Sequence, residues 1–237
     1  MTKFEYSILP EYAPLYPKLP YRYHDYQKIS VYCKADREKM QKLLPKEFKV
    51  AGDVLEVFVL RNNEIEGLDN YSEGGLIIPC SYKDITGACM SFEYVDSDDA
   101  LCAGREIWGY PKKLGDIQFI EEEKSITGTV SRKGKEIINI HFEEAETDFT
   151  QPNLFPRLQV KRMPHPEKDG TDLNTIIKNG FYDSVIKSKV TGKATLKWEN
   201  SLDDPLSSLG PVEVVGSVYV VGSFTLSYGE IVEDLQK

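Results

Sequence analysis

Two adjacent lysines in an apolar setting are the residues of this chain with the clearest chemical potential. Lys112 and Lys113 lie in the stretch GREIWGYPKKLG (residues 104–115), surrounded by Trp108, Tyr110 and Leu114. A lysine held among apolar side chains is desolvated, which lowers the pKa of its amine and makes it nucleophilic toward ketones. The alternative is a solvated turn, because lysine side chains are rarely fully buried. The residue types alone leave both interpretations open.

Other catalytic signatures are missing from the sequence. There is no GxGxxG, no Walker lysine loop, no HExxH and no GxSxG motif. The three histidines, His24, His141 and His165, lie far apart and have no acidic or cysteine neighbours at ligand spacing. The four cysteines form no CxxC pair, which favours buried thiols over a disulfide framework or a zinc site. We therefore expect neither a metal nor an organic cofactor.

The charge balance excludes several classes of partner. The 237 residues include 29 Lys and Arg against 38 Asp and Glu, a net charge of −9. Such a surface repels phosphate backbones and anionic lipids, so we expect no nucleic acid and no membrane partner. No run approaches the roughly 18 apolar residues of a membrane helix, and the first 26 residues lack the apolar segment of a secretory signal. A cytoplasmic protein is the expectation.

Short β-branched and aromatic segments dominate the chain and must position any site. Strands are predicted at residues 28–34, 54–60, 76–82, 85–95, 117–120, 125–131, 135–143, 154–161, 172–177, 182–190, 194–198 and 212–226. Short helices are predicted after Asp36 and at the acidic cluster 96–99, with a possible closing helix at 230–236. We therefore predict a mainly β, antiparallel fold with two or three short helices, as a closed or double β-barrel-like domain that leaves few free edges.

The first 26 residues differ in composition from the rest. They carry six of the 14 tyrosines and four prolines, a mixture that opposes a regular helix but offers much area to bury. We predict an extended arm over residues 1–26, packed on its own domain or on a neighbouring subunit. No long linker divides the remainder, so residues 27–237 are predicted to form a single β domain.

The lysine motif resembles the signature of the acetoacetate decarboxylase family. PYRYHDY, YSEGGLIIPCSY, VTGKATLKW and DDPLSSLGPVEVV are also similar to segments of that family, so the resemblance covers nearly the whole chain from Pro20. It implies that Lys112 forms a Schiff base and that Lys113 is its cationic neighbour. It also implies that Glu73 is an acidic residue of the pocket rather than a solvated loop carboxylate. The resemblance also implies a homo-oligomer, which makes the arm a candidate intersubunit element.

Two positions depart from the family's pattern. Tyr26 stands where its decarboxylases have an arginine that orients the substrate carboxylate, and Phe58 stands where they have a second glutamate. Tyr26 either donates a hydrogen bond to substrate or is one more core tyrosine. Tyr26, Phe58 and Tyr110 are predicted to line the substrate pocket. Arg105 is predicted to supply positive charge near the site, or else to pair with Glu106.

The resemblance implies a carbon–carbon lyase that decarboxylates acetoacetate or a related β-keto acid through an iminium on Lys112. One alternative is an aldolase or dehydratase-type condensation on a different keto acid with the same lysine. Another is a non-catalytic barrel that binds a small molecule, although a binder has little need of a buried amine. Because successive residues of an extended segment face opposite sides, we expect burial, more than repulsion from Lys113, to lower the pKa of Lys112.

Overall fold

The chain is mainly β in the computed structural model, which describes residues 13–201 and 203–236. Its strands are β1 (Tyr21–Lys34), β2 (Lys49–Val50), β3 (Val54–Arg61), β4 (Glu64–Glu66), β5 (Ser72–Tyr82), β6 (Ile85–Val95), β7 (Lys112–Leu114), β8 (Asp116–Glu121), β9 (Ser125–Arg132), β10 (Lys135–Glu144), β11 (Arg157–Pro164), β12 (Thr171–Asn179), β13 (Phe181–Trp198), β14 (Glu213–Leu226) and β15 (Glu230–Asp234). The helices are α1 (Arg37–Lys42), α2 (Asp98–Ala103), a π-helix (Gly104–Trp108) and a 3-10 helix (Leu206–Leu209).

One mixed sheet joins all of these strands. Its main path runs β15-β12-β11-β6-β5-β3-β1-β14-β13-β10-β9-β8, and β2, β4 and β7 pair with β5, β1 and β6. The pairs are antiparallel except where β6 meets β7 and β11. The prediction of a mainly β, barrel-like domain with a few short helices is confirmed. The sheet curls but stays open, because its two end strands, β15 and β8, do not pair within the described residues.

The alternation of side chains along β1, β3 and β5 divides the interior into two cores. Ile29, Val31, Val57 and Val59 point to one side, where they pack with strands β9 and β10. The intervening residues of the same strands, such as Phe58, point to the other side, where aromatic side chains gather. Since side chains alternate with a period of two, each strand serves both cores. The second core contains the candidate site.

Three predicted elements differ from the structure. The closing helix at 230–236 is wrong, because this segment forms β15 and pairs with β12. The strands predicted at 182–190 and 194–198 form a single strand, β13, in which Gly192 stays extended. An added Cβ there would lie 2.4 Å from the Glu143 carbonyl oxygen, so the glycine permits close pairing rather than marking a break. The first strand already begins at Tyr21, inside the predicted arm, and residues 1–12 lie outside the described residues.

The two predicted helix starts are confirmed. Asp36 Oδ1 accepts a hydrogen bond of 3.0 Å from the backbone N–H of Lys39 and so caps α1. Ser97 caps α2, and two aspartates of the acidic cluster, Asp98 and Asp99, occupy its first turn. Their negative charges interact favourably with the positive end of the helix dipole and so stabilise the helix. None of the helices in the described chain has the length and apolar character needed to cross a bilayer.

Candidate active site

The segment before Lys112 holds this residue in a defined position. The π-helix continues α2 and ends at Gly109, whose φ of 81° turns the chain back toward the sheet. The Arg105 guanidinium donates a 3.1 Å hydrogen bond to the carbonyl oxygen of Lys112. An added Cβ on Gly104 would lie 2.6 Å from Cδ of Lys112, so the lysine side chain passes directly over this glycine. The turn therefore fixes both the backbone and the path of the side chain.

Strand register places Lys112 in a row of residues that are distant in sequence. Lys112 pairs with Glu93, Glu93 with Gly75, Gly75 with Phe58 and Phe58 with Ser30. Residues paired across neighbouring strands share a face of the sheet, with strands about 4.8 Å apart. Glu73 lies two residues before Gly75, so its side chain points to that same face. In this way Glu73 reaches the amine of Lys112, although it lies 39 residues earlier in the sequence.

The amine of Lys112 is buried between two carboxyl groups and an aromatic ring. Its Nζ lies 2.9 Å from Oε2 of Glu73 and 3.7 Å from Oε1 of Glu93. The ring centroid of Tyr71 is 5.1 Å from Nζ, within the range of a cation–π contact. The hydroxyls of Tyr71 and Tyr23 are 3.1 Å apart and hydrogen-bonded to each other. The lysine itself is only 7% exposed.

The pKa of the Lys112 amine is shifted in the direction opposite to the prediction. Burial lowers the pKa of Lys112, but the charges of Glu73 and Glu93 raise it by more, so that its pKa lies above the ordinary value. The expectation of a lowered pKa is therefore wrong for the ligand-free site, where the amine is an ammonium ion. Burial, followed by the charge of Glu73, raises the pKa of Glu93 well above its usual range. Glu93 thus holds its proton more strongly than an ordinary glutamate does.

Lys113 faces the opposite side of the sheet from Lys112, as expected for an extended segment. Its Nζ donates to Oδ1 of Asp204 at 2.8 Å and to the carbonyl oxygen of Asp203 at 2.7 Å. Asp204 also accepts a 2.9 Å hydrogen bond from the hydroxyl of Tyr94, and its Oδ2 lies 3.4 Å from Nε of Arg132. The charge of Lys113 is therefore balanced within this cluster, away from the cavity.

One cavity of about 1060 Å³ opens onto the amine. The structure brings five of the seven sequence-predicted residues to its wall, namely Lys112, Glu73, Tyr26, Phe58 and Tyr110. The remaining two, Arg105 and Lys113, do not line it; the Arg105 guanidinium donates its hydrogen bond to the Lys112 backbone. No group of three His, Cys, Asp or Glu side chains in the described part of the chain has the arrangement of a metal site.

The predicted pocket residues have distinct surroundings. The hydroxyl of Tyr110 donates a 3.1 Å hydrogen bond to Oδ1 of Asn179, which holds its ring in the wall. The Phe58 ring lies under Nζ of Lys28, 4.5 Å from its centroid. The ring of Tyr26 packs edge-on against Phe224 at 5.3 Å, and its hydroxyl has no hydrogen-bond partner among the described residues. Tyr26 therefore retains a free donor at the cavity.

Several residues of the site escaped sequence reasoning. Glu93 on β6 and Glu56 on β3 line the cavity, as do Lys28 and Arg157. Both acids interrupt apolar strands, in MSFEYV and VLEVFV, and an isolated acid within a buried strand is a usable signal. The sequence around Glu93 and Glu56 does not indicate which cations they contact, because their partners, Lys112 and Lys28, lie on other strands.

Comparison with known proteins gives a consistent result. A family model described as acetoacetate decarboxylase (ADC) matches residues 9–235. Acetoacetate decarboxylase 1 of Mesorhizobium japonicum is 28% identical over 233 residues, covering 95% of this chain and 93% of that protein. The crystal structure of acetoacetate decarboxylase from Legionella pneumophila superposes with a TM-score of 0.90 at 23% identity, covering 98% of this chain and 95% of that one.

A further neighbour shares the fold at lower identity. The enduracididine biosynthesis enzyme MppR, solved with the condensation product of pyruvate and imidazole 4-carboxaldehyde, superposes with a TM-score of 0.83 at 16% identity over 99% of each chain. This likeness concerns the fold alone. The match of the family model to almost every described residue, together with the buried lysine of the PKKLG motif, identifies the chain as a member of the acetoacetate decarboxylase family, an enzyme of the carboxy-lyase kind.

Proposed function

We propose that Lys112 forms a Schiff base with a small β-keto acid, acetoacetate or a related compound, and that the chain releases its carboxyl group as carbon dioxide. The observation that carries this proposal is a buried amine, 2.9 Å from a carboxylate, at the wall of a cavity. Such an amine can become a nucleophile by transferring one proton over a short distance. A purely binding pocket gains nothing from this arrangement.

The first step is proton transfer from Lys112 to Glu73. The ammonium ion has no lone pair, so Nζ must lose a proton before it attacks the ketone carbon. Oε2 of Glu73 is in hydrogen-bond contact and can accept that proton. The transfer replaces two buried charges by two neutral groups, a change that exclusion of water by substrate favours.

Attack by the neutral amine forms a C–N bond and leaves a carbinolamine. Glu73 returns its proton to the former ketone oxygen, which departs as water and leaves a positively charged iminium on Lys112. The C–C bond to the carboxylate then breaks, its electron pair moves toward the iminium nitrogen, and carbon dioxide leaves. The product of this step is a neutral enamine on Lys112.

The enamine must gain a proton at carbon before hydrolysis. Glu93, whose pKa is raised by burial and by the charge of Glu73, lies 3.7 Å from Nζ of Lys112 and is the acid we assign to this step. Addition of water to the resulting iminium breaks the C–N bond, releases the ketone and restores the ammonium ion. Glu93 regains its proton from solvent, so one proton is consumed for each carbon dioxide released.

Borohydride reduction tests the proposal directly, because it converts an iminium into a stable secondary amine. The protein is reduced in the presence of acetoacetate, and the labelled residue is located by peptide mass spectrometry. We expect label on Lys112 together with carbon dioxide release. Lys112→Met should lose both, whereas the matched variant Lys113→Met should keep the label, since its side chain lies on the other face of the sheet.

Two results would contradict the decarboxylase assignment. Label on Lys112 with pyruvate plus an aldehyde, accompanied by C–C bond formation but no carbon dioxide release from acetoacetate, would favour the condensation alternative. No label on Lys112 with either substrate would leave a binding protein as the better description.

A further inference from the structure

Arg157 is a buried cation that makes no salt bridge with the residues that the structure describes. Its side chain lies at the start of β11 and lines the cavity, and the residue is only 4% exposed. One guanidinium nitrogen donates to the carbonyl oxygen of Leu154, and the group lies 4.2 Å from the ring centroid of Phe155. No carboxylate in the described part of the chain is salt-bridged to it. A buried charge left in this state is costly, so a bound anion would stabilise it.

Glu56, a carboxylate whose pKa is lowered by the charge of Arg157, already has another salt-bridge partner. Oε1 of Glu56 lies 2.6 Å from Nζ of Lys28 and accepts a 2.7 Å hydrogen bond from the hydroxyl of Ser30. Burial raises the pKa of Glu56, but the charges of Lys28 and Arg157 lower it by more, so it is ionised. Lys28 is therefore the salt-bridge partner of Glu56, and Arg157 acts on this carboxylate only from beyond salt-bridge distance.

The charge of the reacting amine is paired by comparison. Nζ of Lys112 lies 2.9 Å from Oε2 of Glu73 and 3.7 Å from Oε1 of Glu93. The cavity thus has an ion-paired end at the amine and, at Arg157, an end whose cation makes no salt bridge with a described residue. An anionic group that enters the cavity is attracted to the second end.

The two ends are well separated and share one large space. Strands β11 and β7 both pair with β6, Arg157 opposite Ala88 and Lys112 opposite Glu93, so the two residues lie five positions apart along β6, or about 17 Å between backbones. The cavity of about 1060 Å³ reaches both residues. Typical pockets for drug-sized ligands occupy roughly 300–1,000 Å³, so the space far exceeds the needs of acetoacetate.

We propose that Arg157, assisted by Lys28, binds a second carboxylate of the substrate, and that the preferred substrate is a β-keto diacid whose ketone reaches Lys112. This inference rests on the proposed function of Lys112. The carboxylate at Arg157 is the one that remains in the product. A salt bridge to the departing carboxylate would be lost as carbon dioxide forms, which would raise the barrier, whereas a contact to the distant carboxylate persists through the reaction.

The test compares diacids with matched monoacids. Carbon dioxide release is measured for 3-oxohexanedioate and 3-oxooctanedioate, and for 3-oxohexanoate and 3-oxooctanoate, which lack only the second carboxylate. We expect kcat/KM of the wild-type protein to be about 10–100-fold higher for a diacid than for its monoacid, as hydrogen bonds to charged groups allow. In Arg157→Gln this ratio should fall to about one.

Matched variants separate recognition from a general loss of structure. Arg162 lies on the same strand but is paired with Glu47 at 2.6 Å, so Arg162→Gln should keep the wild-type ratio. Arg157→Lys retains the charge and should give an intermediate ratio. If Arg157→Gln does not fold, inhibition of the wild-type protein replaces it, and hexanedioate should compete with 3-oxohexanoate about 10-fold better than hexanoate does.

The outcomes distinguish this inference from the function on which it rests. Equal kcat/KM for diacids and monoacids in the wild type, or a ratio unchanged in Arg157→Gln, would overturn the inference. Borohydride label on Lys112 with the monoacids would still support the Schiff-base function in that case. Absence of label with every keto acid would overturn both.

Discussion

The Nζ of Lys112 lies 2.9 Å from Oε2 of Glu73, and this contact sets the charge of the amine before substrate arrives. Burial by itself opposes the ammonium ion, but the two carboxyl groups more than offset it, and the pKa of Lys112 is raised. The neighbouring Lys113 contributes no opposing charge at the amine because it is paired with Asp204 on the other face. The amine of Lys112 therefore carries a proton and lies beside a carboxylate that can accept it.

Replacing Glu73 by glutamine should lower the pKa of Lys112 and slow the reaction. The variant removes the nearer carboxylate, which raises the amine pKa, and it also removes the group that accepts the proton. We expect kcat to fall about 10²–10⁴-fold, the usual contribution of a positioned acid or base. The pH–rate profile of carbon dioxide release measures both effects. Glu66→Gln, at an exposed pair with Arg22, is the control, and wild-type kcat in Glu73→Gln would exclude the proton-transfer role.

Replacing Lys113 by methionine should lower the stability of the fold and leave the pKa of the Lys112 amine unchanged. Asp204, whose side chain is fully buried, would lose the 2.8 Å contact and keep only Arg132 as a charged partner. We expect a loss of about 1–3 kcal/mol in the free energy of unfolding, measured with urea. The pH dependence of borohydride trapping on Lys112 should stay that of the wild type. A shift of that dependence would show that the lysines interact. Lys133→Met, at an exposed pair with Asp203, is the matched control for stability.

Replacing Gly104 by alanine should misplace the nucleophile without unfolding the chain. The new Cβ would lie 2.6 Å from Cδ and 2.7 Å from Cε of Lys112, so the lysine must move. Gly104 has helical dihedral angles, which alanine adopts without strain. Because displacement of about 1 Å can cost on the order of 10²-fold in rate, we expect a comparable fall in kcat. Gly180→Ala, where nothing lies within 4 Å of the new Cβ, should retain activity.

Replacing Glu93 by glutamine should flatten the dependence of stability on pH. The folded chain holds a proton on Glu93 that the unfolded chain releases near pH 4.5, since burial and Glu73 raise the folded pKa. The contribution of this group is therefore complete below that pH and is lost as the pH rises toward the folded pKa, by at most about 1.4 kcal/mol per unit. Thermal unfolding from about pH 5 to pH 8 measures the slope. An unchanged slope, equal to that of the exposed control Glu143→Gln, would show that Glu93 is ionised.

Much of the fold follows from local patterns. Short β-branched and aromatic segments predicted strands such as β3 and β9, and Asp36 predicted the start of α1, because both signals depend on residues within one turn or a few positions. The closing helix failed for a non-local reason. The segment 230–236 lies beside β12, and ladder hydrogen bonds with that strand decide its conformation. The predicted cytoplasmic location and homo-oligomeric assembly stay predictions.

The motif around Lys112 predicted the nucleophile through its resemblance to the family, and the alternation of residues in an extended segment predicted that Lys113 faces away from it. Neither could reveal the charge of the amine. That depends on Glu73 and Glu93, which strand register brings from β5 and β6 to within 3.7 Å of Nζ. Only the position of β11 beside β6 showed that Arg157 is buried at the cavity without a salt bridge to any described residue. Electrostatic energies depend on distance in space and on burial, and both are properties of the tertiary structure.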